Sequence, residues 1–197
     1  MKRFFGQKNK RSRAFTLVET LVAISIFTVS LLGLMSILAQ GIADTNYAKR
    51  KIIASYLAQE GIEYIRNFRD TYVLYYDPAS TNNGWIEFNN RLIADSCDDS
   101  CYFDDSIVSF TDPTMPMADL IFTPCTGNAG ACMELRYDNA TGKYNYDLTK
   151  TPSGYTREIN MFVIDSNETE IVSTVSWTQG SGSHSVVFSE SLFNWVE

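Results

Sequence analysis

Glu19 is the residue with the most pointed chemistry in this 197-residue sequence: it is the one charge in an apolar run that extends to about residue 39. A carboxylate inside a bilayer costs on the order of 2.5–3.5 kcal/mol on insertion scales, so by default it has a partner and a role. An α-amino group freed at Phe15 is a suitable cation. Four cysteines offer a second chemistry: Cys97, Cys101, Cys125 and Cys132. An even count outside a membrane favours disulfides. Three pairings are possible. The local one, Cys97–Cys101 with Cys125–Cys132, is preferred because short loops close easily. The rival is a tetrathiolate zinc site, but those use tighter C-x2-C knuckles in reducing compartments.

Asp95, Asp98, Asp99, Asp104 and Asp105 crowd around the first two cysteines. Oxygen-rich loops suit calcium, which makes Asp98, Asp99, Asp104 and Asp105 weak calcium candidates. Their spacing matches no EF-hand loop, and a solvated acidic loop is the better expectation. The single histidine, His184, sits in a Gly/Ser turn region with no Ser/His/Asp spacing and no Gly-x-Ser-x-Gly around it. It reads as a surface residue, so no catalytic residue, no enzyme activity and no cofactor are expected. Asn139-Ala140-Thr141 and Asn167-Glu168-Thr169 fit the glycosylation pattern, which is short enough to arise by chance.

The elements that must position Glu19 begin with a basic leader. Residues 1–13 hold Lys2, Arg3, Lys8, Lys10, Arg11 and Arg13 and no acid, while the whole chain carries a formal charge of −7. An acidic balance argues against nucleic-acid binding, which needs a basic face. The apolar run of about 25 residues spans roughly 37 Å as a helix, enough for a bilayer core of about 30 Å. The basic flank places the leader in the cytoplasm and the rest of the chain outside. A cleaved secretory signal is the blandest reading, but the run exceeds a 7–15-residue apolar region. A plain signal anchor leaves Glu19 unexplained.

The stretch Arg13-Ala14-Phe15-Thr16-Leu17-Val18-Glu19-Thr20-Leu21-Val22-Ala23 closely resembles the processing site of type IV pilins and pseudopilins. The resemblance implies cutting between Ala14 and Phe15 by a membrane-bound prepilin peptidase, and N-methylation of Phe15. It implies an assembly role for Thr16 and Glu19, with Glu19 neutralising the Phe15 amine of a neighbouring subunit. The implied partners are other pilin subunits in a hetero-oligomeric filament, the prepilin peptidase, an inner-membrane assembly platform and membrane lipid. The implied location is the membrane before assembly and a cell-surface filament after it. The residue before the cut is most often Gly in that family and is Ala14 here. Major pilins often carry a Pro where this chain has Ser36, which argues for a minor subunit. The segment 54–70 is also similar to the helix end of minor pilins of the type IV pilus modification group. A minor pseudopilin of a type II secretion or DNA-uptake system shares these features. A signal-anchored external binding or enzymatic domain that never polymerises is the rival from another class.

Beyond the apolar segment 15–39, the helix is expected to continue through 40–70 with one stripe on a globular head. Ile53, Tyr56, Leu57, Gly61, Tyr64, Ile65 and Phe68 recur at helical spacing there. The region 71–155 reads as loop-rich and variable, with short strand-like runs at 72–76, 107–110, 120–123, 133–137 and 143–148, and a hairpin turn at 138–142. The region 156–197 reads as an antiparallel meander of strands near 157–165, 170–177 and 184–189, with a turn at 180–183. The Val175-Ser176-Trp177 strand and the closing Leu192-Phe193-Asn194-Trp195 also resemble that minor-pilin group. The fold class is therefore α+β: a long N-terminal helix, half transmembrane and half amphipathic, packed on a C-terminal antiparallel sheet, as in pilins.

Overall fold

A computed structural model of the chain describes residues 16–75, 81–104, 121–126 and 131–195. The chain forms two units, Met1–Asn46 and Tyr47–Glu197. Helix α1, Leu17–Tyr75, contributes to both. No proline occurs before Pro78, so nothing removes a backbone donor along its length. Its start is capped: Thr16 Oγ1 accepts the Glu19 N–H at 3.3 Å. Thr16 and Glu19 thus hold the N-cap and N3 positions of a capping-box pattern, and the acid sits favourably at the positive end of the helix dipole.

In the second unit, α1 buries Ala54, Leu57, Ala58, Ile62, Ile65 and Phe68. The expected stripe needs one correction: Tyr56 faces outward and is 69% exposed. Gly61 marks the closest approach of helix to sheet. A Cβ there would meet Ser173 Oγ and lie 2.9 Å from Ile159 Cδ1. Glycine lowers helix stability by about 1 kcal/mol relative to alanine, and close packing is what it provides here.

The region 71–155 is more regular than its composition suggests. The run at 72–76 is not a strand, because the described part of it completes α1, with Tyr72 and Val73 buried. A second helix, α2 (Thr81–Ala94), buries Trp85, Phe88 and Leu92 on one face. A Cβ on Gly84 would lie 2.7 Å from the Tyr72 carbonyl oxygen, so only glycine lets α2 rest on the α1 backbone. The short strands β1 (Cys101–Phe103), β2 (Phe122–Pro124), β3 (Glu134–Asp138) and β4 (Lys143–Asn145) follow. Gly142, at φ 73°, closes the β3–β4 turn. The strand-like run at 107–110 lies outside the described residues.

The three long strands are β5 (Thr151–Val163), β6 (Glu168–Gln179) and β7 (Gly182–Phe193). They form the meander β5-β6-β7, all antiparallel. The other edge of β5 pairs with β3 through its first half and with β1 at Ile159. β5 begins at Thr151, earlier than expected. Pro152 and Gly154 disguise its first turns in the sequence. Tyr155, Arg157, Ile159 and Met161 point inward, but Val163 is 52% exposed. The alternation of β6 places Ile171, Ser173, Val175 and Trp177 on the helix side. The result is the α+β arrangement of a long N-terminal helix with an antiparallel sheet packed on its second half.

Candidate assembly site

Every described residue from 16 to 49 is exposed, and the most apolar window of α1 reaches a mean hydropathy of 2.4. Among the described residues α1 is the one helix long and apolar enough to cross a membrane. Four of its alcohols are satisfied within the helix. Thr20, Ser25, Thr28 and Ser30 donate to the carbonyls of Leu17, Val22, Ser25 and Ile26 at 2.8–2.9 Å. In hydrocarbon such back-bonding removes the cost of an unpaired hydroxyl. Glu19 is the exception. Its backbone N–H is used by the Thr16 cap, but its carboxylate has no ion-pair partner among the described residues. From Leu17 to Ala43 it is the sole ionisable side chain. The arrangement presents an apolar rod with one unneutralised anion near its N-terminal end. Ala14 and Phe15 lie outside the described residues.

The cysteines form the two local pairs, Cys97–Cys101 and Cys125–Cys132. The first seals the α2–β1 corner, with both residues buried. Of the acidic cluster, Asp95 is engaged by Arg91 at 2.9 Å, and the Asp99 carbonyl accepts from the Asn160 amide. Asp98 and Asp99 are exposed, and no group of three potential metal ligands occurs among the described residues. Asp105 lies outside them. His184 is not a free surface residue: it is half-buried, with ring centroids 5.1 Å from Tyr47 and 5.5 Å from Trp177.

Arg157 is the most consequential residue that alternation alone hides. It is 1% exposed in the middle of β5. Its Nη1 donates to Glu60 on α1 at 2.7 Å, and its Nη2 to the Phe103 carbonyl at 3.2 Å. The guanidinium lies 3.9 Å from the Phe103 ring centroid, and that ring stacks on Tyr64. One buried cation therefore ties α1, β1 and β5 together. Nearby, burial pushes the Tyr146 hydroxyl up to about 12.

Residues 9–35 match the family model of the prokaryotic N-terminal methylation motif. This match supports a prepilin-processed, type IV pilin-like chain. It covers the end of the basic flank (Lys10, Arg11, Arg13), the segment around Ala14 and Phe15, Thr16, Glu19 and the first turns of the apolar helix. No curated protein and no solved structure matches the chain. The motif and the apolar helix together point to membrane anchoring and to assembly with other pilin subunits.

Proposed function

We propose that this chain is a minor pilin-like structural subunit of a type IV pilus or related filament, with no catalytic step of its own. Prepilin peptidase removes residues 1–14, and the amine of Phe15 is methylated. The released helix leaves the membrane by packing against the helices of other subunits. Dispersion contacts between apolar side chains hold the filament core. The carrying observation is Glu19, the sole ionisable side chain of the apolar segment, next to a cleavage site that creates a cation. Buried in a filament core without that cation, the carboxylate is strongly disfavoured. Pairing with the Phe15 amine of the adjacent subunit satisfies both groups and sets the axial register. The continuous helix, without proline at Ser36, supports the minor role. A minor pseudopilin would use the same helix. Co-purification with a pilus or with a secretion apparatus separates the two machines.

Glu19→Ala tests the reading. The variant inserts into the membrane and folds its head normally, yet its amount in sheared filaments falls at least tenfold. Incorporation at the wild-type level would remove the assembly role from Glu19.

A further inference from the structure

The head carries two surfaces at opposite ends that complement each other. The first is an open groove of about 500 Å³ between α1 and the β3–β4 hairpin, lined by Ile53, Tyr56, Leu57, Glu60 and Tyr144; the Glu60 carboxylate in it is already paired with the buried Arg157 at 2.7 Å. Lys143 stands in its wall, and Lys49 lies one helical turn before Ile53. The second surface lies where α1 finishes. There the β5–β6 turn is fastened to α2 by Trp85 Nε1 donating to the Ser166 carbonyl at 2.9 Å. On the sheet face turned away from α1, the register sets Phe162 beside Glu170 and Glu168 beside Phe193. Ile164 joins them through its N–H to the Glu168 carbonyl. Phe162, Ile164 and Phe193 are each at least half exposed. The segment 162–170 holds Asp165, Glu168 and Glu170 and no base. Exposed apolar groups of this size, rimmed by one sign of charge, mark an interaction surface.

We propose that the groove beside α1 receives the acidic apolar end of a second copy of this chain. Aromatic and aliphatic side chains from Phe162, Ile164 and Phe193 fill the apolar floor, while Glu168 and Glu170 face Lys143 and Lys49. The two surfaces are about 22 Å apart along α1, from Leu57 to Tyr72. The contact is therefore head-to-tail and does not close into a two-fold dimer. Heterologous contacts of this kind propagate as open chains. The inference rests on the filament-subunit reading and adds to it that, where two copies of this chain are neighbours, their heads meet through these two surfaces.

The test uses the full chain in detergent micelles. All four native cysteines are in disulfides, so two engineered thiols can report the contact. Chains carrying Tyr144→Cys are mixed with chains carrying Ile164→Cys under mild oxidation. The expected result is a mixed disulfide dimer about tenfold more abundant than either like-with-like dimer. Adding Glu168→Lys and Glu170→Lys to the second chain lowers the yield about tenfold, and adding Lys49→Glu and Lys143→Glu to the first restores it. No excess of the mixed dimer overturns the contact, as does a yield that charge reversal leaves unchanged. Failure here with Glu19→Ala still excluded from filaments removes the head contact alone. Failure here with Glu19→Ala incorporated normally removes both readings.

Discussion

Single side chains divide the labour between the two units. Glu19 carries a charge that the apolar segment cannot neutralise, whereas Arg157 carries one that the head neutralises internally. Arg157 is 1% exposed, so its partner on α1 matters more than a surface ion pair would. Glu60 is 43% exposed at the side chain, and water moderates the loss when it is removed. Glu60→Ala is expected to lower head stability by about 1.5–3 kcal/mol, the range for hydrogen bonds to charged groups, read from chemical denaturation of the full chain. Tyr146 sets an alkaline limit. Burial raises its folded pKa from 10 to about 12, so the unfolded chain ionises first. Stability is complete below pH 10 and falls as pH rises from 10 towards 12, by about 2–3 kcal/mol for a two-unit shift. Tyr146→Phe abolishes this part of the loss. An unchanged alkaline unfolding curve in the variant would contradict the assignment.

Among the elements, the fit of helix to sheet depends on Gly61. Gly61→Ala gains helix propensity but drives a methyl group into Ser173 and Ile159. Overpacking of this kind costs about 1–3 kcal/mol. The expected outcome is a lower melting temperature, partly restored by Ser173→Ala. A melting temperature at or above wild type would show that the sheet yields freely at this point. The same contact explains what was legible beforehand. Helix α1 was readable because apolar residues recur at helical spacing with no proline to interrupt them. The β5-β6-β7 meander was readable because alternating apolar residues frame Gly180-Ser181. Helix α2 was hidden because Asn82-Asn83-Gly84 reads as a loop, and the reason for Gly84 is the backbone of Tyr72 and Val73 against which α2 folds back. The start of β5 was masked by Pro152 and Gly154. Arg157 occupies an inward position where alternation predicts an apolar residue, and only its partners on α1 and β1 reveal why a charge is tolerated there. Tyr56 fits the helical stripe by spacing but sits at its margin, beside the groove. Glu19 stood out from the beginning because no other charge competes with it.

At the scale of the whole molecule, the proposed function divides between the two units, with assembly assigned to the apolar helix. In the apolar helix Thr20, Ser25, Thr28 and Ser30 bond within the helix, while the Glu19 carboxylate has no ion-pair partner among the described residues. The head is held by two disulfides and by the buried Arg157 paired with Glu60 at its surface. The proposed assembly depends on the leader being removed, because the cation proposed to answer Glu19 exists only once the bond before Phe15 is cut. Intact mass and N-terminal sequencing of the chain isolated from cells that contain prepilin peptidase test this most directly. The account predicts a chain that starts at N-methylated Phe15. A chain that still starts at Met1 would contradict it, since Glu19 would then have no terminus to meet.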